Sequence, residues 1–145
     1  MREILFRGQT RRKGEKVRIG DGKPLESNWV YGGIFPQNID GDFAIIYCQE
    51  PIEKFVVYAD TVGQYTGKTD KNENKIFEGD ILKSPIWLTG INQEICVCKW
   101  VEDDEVSSIQ GFGLFAGDKL LKTDEWDEFE VIGNIFDNKD LLIQE

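Results

Sequence analysis

A chain of 145 residues with 40% hydrophobic and 12% aromatic content is long enough to bury a core without disulfide or metal staples, which excludes disorder. No apolar run reaches membrane-spanning length and no secretory apolar region follows the first residues, so a soluble, cytoplasmic protein without a membrane partner is expected. The net charge of −10 disfavours nucleic acid as a partner, yet it is unevenly spread: residues 1–35 carry eight Lys/Arg against four Asp/Glu, and residues 36–145 carry nine against twenty-three.

Fifteen glycines and many aromatic and β-branched residues favour a mainly β protein rich in turns. Met1–Arg7 alternates, with Ile4 and Phe6 on one side and Leu5 and Arg7 on the other, which reads as an edge strand. The stretch from Arg7 to Lys23 is polar and basic, a loop or long hairpin. Its cations Arg7, Arg11, Arg12, Lys13 and Lys16 are candidate anion or nucleic-acid contacts, but the run is short and has no aromatic beside it, so a solvated loop is the simpler account.

Trp29–Phe35 is a strand closed by Pro36, and Asp40-Gly41 is a hairpin turn leading into Phe43–Cys48. That second segment is almost continuously apolar and is expected to be central and covered on both faces. Pro51 ends it, and Phe55–Tyr58 is another short apolar run.

Thr61–Leu82 is the densest run of turn chemistry between apolar segments. Thr61–Tyr65 is strand-like, Gly67–Lys75 has no large apolar side chain and forms a hairpin tip, and Glu78-Gly79-Asp80 bends the chain before Ile81-Leu82. Asp70, Asn72 and Asn74 fall at the first three spacings of a calcium loop. Lys75 stands where that loop needs Gly, and Ile81 where it needs Glu, so the hairpin reading is preferred.

Glu94–Val101 is a strand that places Cys96 and Cys98 on one face, spaced too poorly for a disulfide and, with no histidine in the chain, too sparse for zinc. Gly111–Gly117 is a short strand framed by glycines. It is not a dinucleotide loop, because no helical run follows. Phe129–Phe136 is the last long strand, and Asp137–Gln144 reads as a short C-terminal helix capped by Asp137 or Asn138.

Two acidic clusters, Glu102–Glu105 and Asp124–Glu130, are the places where paired carboxylates or magnesium could act; a solvated acidic surface is the simpler account. In the second cluster Asp124, Glu125, Asp127, Glu128 and Glu130 surround Trp126 and Phe129, a candidate interaction surface if the aromatics are exposed, and an acidic rim over core if they are not. No nucleophile motif and no phosphate loop is present, so neither catalytic residues nor a cofactor is expected.

TVGQYTG with a following D-K-N turn and E-G-D-I (Thr61–Ile81), E-V-I-G-N-I-F-D-N-K-D-L-L (Glu130–Leu142), and the opening M-R-E-I-L-F-R-G with W-V-Y-G-G (Trp29–Gly33) together resemble the YopX family of small phage and prophage proteins. Departures are Glu73-Asn74 in the turn, where the family more often has Gly, and the long gap between Gly14 and Asn28. The resemblance implies an SH3-like barrel over about 60–145 with a β-rich part over 1–59, or one continuous domain. It also implies a bacterial host cytoplasm, and it brings no established activity. Gly63, Tyr65, Gly67, Glu78, Gly79, Asp80, Gly133 and Asn134 carry it and are read as structural. The expected function is a non-enzymatic accessory protein acting by protein contacts, with a second copy or a host or phage protein as partner. The alternatives are a nucleic-acid-binding module at the basic loop and a carboxylate-metal enzyme.

Overall fold

A computed structural model describes residues 4–13, 28–34, 41–49, 52–85, 94–101, 111–117, 119–121, 123 and 125–142. Among the described residues there are eleven strands: β1 Phe6–Arg11, β2 Asn28–Ile34, β3 Phe43–Gln49, β4 Ile52–Tyr58, β5 Gly63–Thr69, β6 Lys75–Phe77, β7 Asp80–Lys83, β8 Ile95–Trp100, β9 Phe112–Ala116, β10 Lys119–Leu120 and β11 Glu130–Asn134. They build two antiparallel sheets, ordered β4-β3-β2-β1-β5-β6 and β10-β9-β8-β7-β11. The chain divides into two compact units, Met1–Gln64 and Tyr65–Glu145, with the division inside β5. The first two residues of β5 pair with β1 and the later ones with β6.

In the N-terminal unit the alternation of β3 and β4 sorts side chains cleanly. Ala44, Ile46 and Val57 point inward, with Phe6, Val30, Ile34 and Phe55 packed around them. β4 passes close over β1 at Gly8, where a Cβ would stand 2.8 Å from Val57 Cγ2 and 3.1 Å from Ile46 Cδ1. Glycine is required there because a side chain would occupy the space the small core already fills. Gln9 is fully buried, and its N–H donates to Thr61 Oγ1 at 2.9 Å, while that hydroxyl donates to Tyr58 O at 2.6 Å. A 3-10 turn at Ala59–Thr61 thus ties the end of β4 to β1.

Two expectations change in this unit. β1 begins at Phe6 and lies between β2 and β5, so it is an interior strand and not an edge. The basic residues misled the reading, since the apolar alternation stops where β1 in fact starts. β3 is interior in its sheet but its two faces are not equally covered: Ala44 and Ile46 are buried, while Ile45 and Tyr47 are half buried and Phe43 is half exposed. A continuous apolar run does not by itself say which face is dry.

The C-terminal unit has the larger core: Ile76, Leu82, Cys96, Cys98, Phe112, Leu114, Leu121, Trp126 and Phe129. β7, β8, β9 and β10 form a meander, and β11 returns to pair with β7. Its order has no closing pair between β10 and β11, so the described strands make an open sheet and not the closed barrel expected. β10 is only two residues long and offers little edge to pair. The expected C-terminal helix is a single 3-10 turn, Lys139–Leu142, with no buried residue, and no α-helix occurs among the described residues. So short a segment holds a helix only when a packed face supports it, and none is buried here. No helix of the described residues is long and apolar enough to cross a membrane.

Candidate functional surfaces

The hairpin tip between β5 and β6 is organised by Asp70. Its side chain is 2% exposed, and every partner it has is an N–H. Oδ1 accepts from the backbone of Asn72 (2.9 Å) and Asn74 (2.8 Å), and Oδ2 from the backbone of Val131 (2.9 Å) and the Asn74 amide (3.4 Å). Burial alone would raise its pKa, but the amides of Val131, Asn74 and Asn72 favour the charged form, and together they hold it below the ordinary carboxylate value. Lys71 N donates to Phe129 O at 2.9 Å, a second link from the tip to the last strand. The partial calcium spacing seen in the sequence therefore serves a different end: the Asp70 oxygens face amides. No group of three or more His, Cys, Asp or Glu is placed to hold a metal ion among the described residues.

Four of the residues that carry the family resemblance meet where β7 and β11 pair. Asn134 lies opposite Asp80 and Gly133 opposite Ile81. The Asp80 carboxylate accepts from Phe77 N at 2.8 Å, closing the turn that Gly79 makes with a positive φ of 94°. Gly79 N–H donates to Cys98 O, and Gly79 O accepts from Ile135 N, each at 2.9 Å. Asn134 Oδ1 accepts from Phe136 N and Asp137 N, and Asn138 Oδ1 accepts from Asn134 N. A Cβ at Gly133 would stand 2.5 Å from that Asn138 oxygen. The remaining four take other local positions. Gly63 pairs with Arg7, Tyr65 is buried against Phe77, Gly67 lies in the irregular stretch of β5 between Tyr65 and Thr69, and Glu78 is half buried in the turn. The arrangement is a set of backbone clamps joining two distant sequence blocks.

The acidic cluster divides. Trp126 is not part of an interaction surface: its side chain is 1% exposed, sits in the core, and donates from Nε1 to Thr123 O at 3.2 Å. Phe129 is buried with it. A 3-10 turn at Trp126–Glu128 turns the indole inward and leaves Glu125, Asp127 and Glu128 exposed. Glu130 is half buried and lies 3.8 Å from Lys71. Asp124 and Glu102–Glu105 lie outside the described residues.

The basic cluster also divides. Arg7 is buried, its guanidinium 4.6 Å from the centre of the Trp29 ring. Arg12 lies 4.1 Å over the Tyr58 ring and bonds both oxygens of Asp60, at 2.9 and 3.1 Å. Arg11 and Lys13 are exposed, and Lys16 lies outside the described residues. Of this group, Arg11, Arg12 and Lys13 are the exposed members among the described residues. Sequence reading missed the aromatic rings under two of them, because Trp29 and Tyr58 are 22 and 46 positions away along the chain from Arg7 and Arg12.

All three cysteines are free thiols. Burial, reinforced by the charge of Glu94, pushes Cys96 up to about 12. It is a small core side chain and no nucleophile at neutral pH.

The family model described as YopX protein matches residues 26–143. The whole chain is similar in fold to the crystal structure of protein EF1440 from Enterococcus faecalis, with a TM-score of 0.50 and 21% identity, covering 99% of this chain and 100% of that one. No curated protein matches it. The chain belongs to the YopX family.

Proposed function

We propose that this YopX-family chain is a non-enzymatic phage or prophage accessory protein that acts in the bacterial cytoplasm through protein–protein contacts and associates with itself, with host or phage proteins as further partners. The observation that carries this reading is the charge polarity. Residues 1–35 have a net charge of +4 and residues 36–145 a net charge of −14, so each copy offers both signs to the next. Exposed large apolar residues beside the basic end supply the apolar part of such a contact.

The alternatives have less support. For nucleic acid, Arg7 is buried and Arg12 is bound to Asp60, which weakens the basic loop as a phosphate contact. For metal-assisted catalysis at the acidic clusters, Glu125, Asp127 and Glu128 are exposed and Glu130 lies 3.8 Å from Lys71, while Glu102–Glu105 and Asp124 lie outside the described residues. The strand order of the C-terminal unit, with the last strand back on the first of a meander and a 3-10 turn before it, supports an SH3-like arrangement opened between β10 and β11.

Light scattering behind a sizing column, at tens of micromolar and low salt, tests the reading. An oligomer that dissociates in high salt is expected, because screening weakens contacts between charges. A monomer under both conditions would remove self-association from the function.

A further inference from the structure

We infer that residues 130–142 form a strap that opens as one piece, with the Asp70 carboxylate as its latch. No residue from Glu130 to Leu142 is buried. The strands of the same sheet differ: Asp80, Ile81 and Leu82 are buried on β7, and Cys96, Val97 and Cys98 on β8. Val131 packs against the core but stays half buried. Phe129, one residue before the strap, is fully buried, so the chain is anchored where the strap begins. A segment with little buried apolar surface is held chiefly by its backbone bonds, and such segments open before the whole molecule unfolds.

β11 is the last strand of its sheet and pairs with β7, in a ladder that shifts register between Val131 and Gly133. Beyond the ladder, Ile135 N donates to Gly79 O. A further hold comes from the hairpin tip between β5 and β6, where Asp70 Oδ2 accepts from Val131 N at 2.9 Å. The same carboxylate is fixed from the tip side, because Oδ1 accepts from Asn72 N and Asn74 N. Buried and held in this way, it cannot follow the strap outward. A hydrogen bond to an ionised acceptor is about twice as strong as a neutral one, so this bond outranks any one rung of the β7 ladder. The charged residues beside the latch are Lys71 and Glu73 on the tip and Glu130 on the strap. Lys71 Nζ lies 3.8 Å from Glu130 Oε1, a half-exposed pair that adds little. Lys71 N donates to Phe129 O, but Phe129 stays with the core. When the strap lifts, β7 loses its neighbour along residues 80–83 and presents unpaired backbone groups at the edge of the sheet. The strap is a property of one copy and stands whether or not copies associate.

Hydrogen–deuterium exchange of the full chain at pH 7, read by mass spectrometry on peptides, tests the strap and its latch. In the wild type, peptides within 130–142 are expected to exchange faster than those covering β8. Low urea should speed β8 and leave the strap almost unmoved, since a small opening exposes little surface. In Asp70→Asn the side-chain oxygen can stay on the amides of Asn72 and Asn74, and its nitrogen then faces Val131 N–H, donor against donor. Strap exchange is expected to rise at least about tenfold in this variant, with β8 still protected and the circular-dichroism spectrum of a folded chain. Lys71→Ala, which removes the half-exposed ion pair, should change strap exchange by less than about threefold.

Strap and β8 peptides that exchange at one rate, with the same urea dependence, would overturn the strap, since the unit then opens only as a whole. An Asp70→Asn chain that is unfolded throughout would do the same, because residues 130–142 would be inseparable from the core. A strap that exchanges early in the wild type but is unmoved by Asp70→Asn would overturn the latch. Lys71→Ala matching Asp70→Asn would overturn it too, by assigning the hold to the ion pair.

Discussion

The two units spend their polar and aromatic residues in opposite ways. The C-terminal unit buries the rings of Trp126, Phe129 and Phe112 while leaving Trp100 52% exposed, and it places Asp70 and Asp80 inside as clamps on backbone amides. The N-terminal unit has a core of three small or medium side chains and leaves Tyr31 and Phe43 half in water. A sheet that keeps its rings outside gains little from them in folding and has them available for contact. The larger buried core thus lies in the C-terminal unit, and the N-terminal unit leaves more of its apolar surface in water.

The sharpest way to break this contrast is Trp126→Ala. Emptying that core position is expected to cost about 3–5 kcal/mol, read as a shift in the denaturant midpoint. A cost below about 1 kcal/mol would mean the indole is not the centre of the core. Asp70→Ala should follow at about 2–4 kcal/mol, since it strands the amides of Val131, Asn72 and Asn74. Because its folded pKa is lowered, Asp70 contributes stability above its ordinary value near 3.8 that is lost as pH falls through the folded value. Acid titration of the wild type and of Asp70→Asn should therefore diverge below about pH 4, the variant curve being the flatter.

In the N-terminal unit, Gly8→Val is expected to cost about 1–3 kcal/mol by forcing β4 away from β1. Cys96 gives an alkaline counterpart. Its folded pKa of about 12 lies above the ordinary 9.0, so the stability it contributes is complete below pH 9 and declines as pH rises toward 12. Replacing it with Ala should lessen that decline in melts between those limits. The smallest effect belongs to the exposed rings: Tyr31→Ser should change stability by no more than about 0.5 kcal/mol, while weakening association. Equal stability losses for Trp126→Ala and Tyr31→Ser would erase the distinction between the units.

The strands and turns were largely legible in the sequence because period-two alternation and Asp-Gly or Gly-Asp turns are local. β2, β3, β4, β8 and β11 all lie within the segments read as strands or extend them by a few residues. What was not legible depends on partners far along the chain. Asp70 reads as a turn residue, and nothing near it announces Val131, 61 positions away. Arg7 reads as part of a basic loop, and its burial depends on the Trp29 ring. Trp126 sits among five acids, and only the 3-10 turn decides that it faces inward. Of the cap residues expected for the C-terminal helix, Asn138 accepts at Oδ1 from Asn134 N and Asp137 at Oδ2 from the Asn134 amide, both bonds running back to the preceding strand end, and a cap could not in any case supply the packing that a longer helix needs. The candidate surface is the least legible part. Exposure of Phe43 and Val56 is a property of the face that the sheet turns outward, and both sit in runs that look like core.

The link from Asp70 to Val131 also sets a timetable. β7 is among the first strands of its unit to be made and β11 is the last, and β7 finds its outer neighbour only when β11 arrives. While the chain is being synthesised, residues 65–129 hold most of the buried rings but neither the strand nor the amide that completes them. Until translation has carried residues up to Asn134 out of the ribosome, the C-terminal unit lacks its last strand, and a chain ending before that point is expected to be cut readily in limited proteolysis.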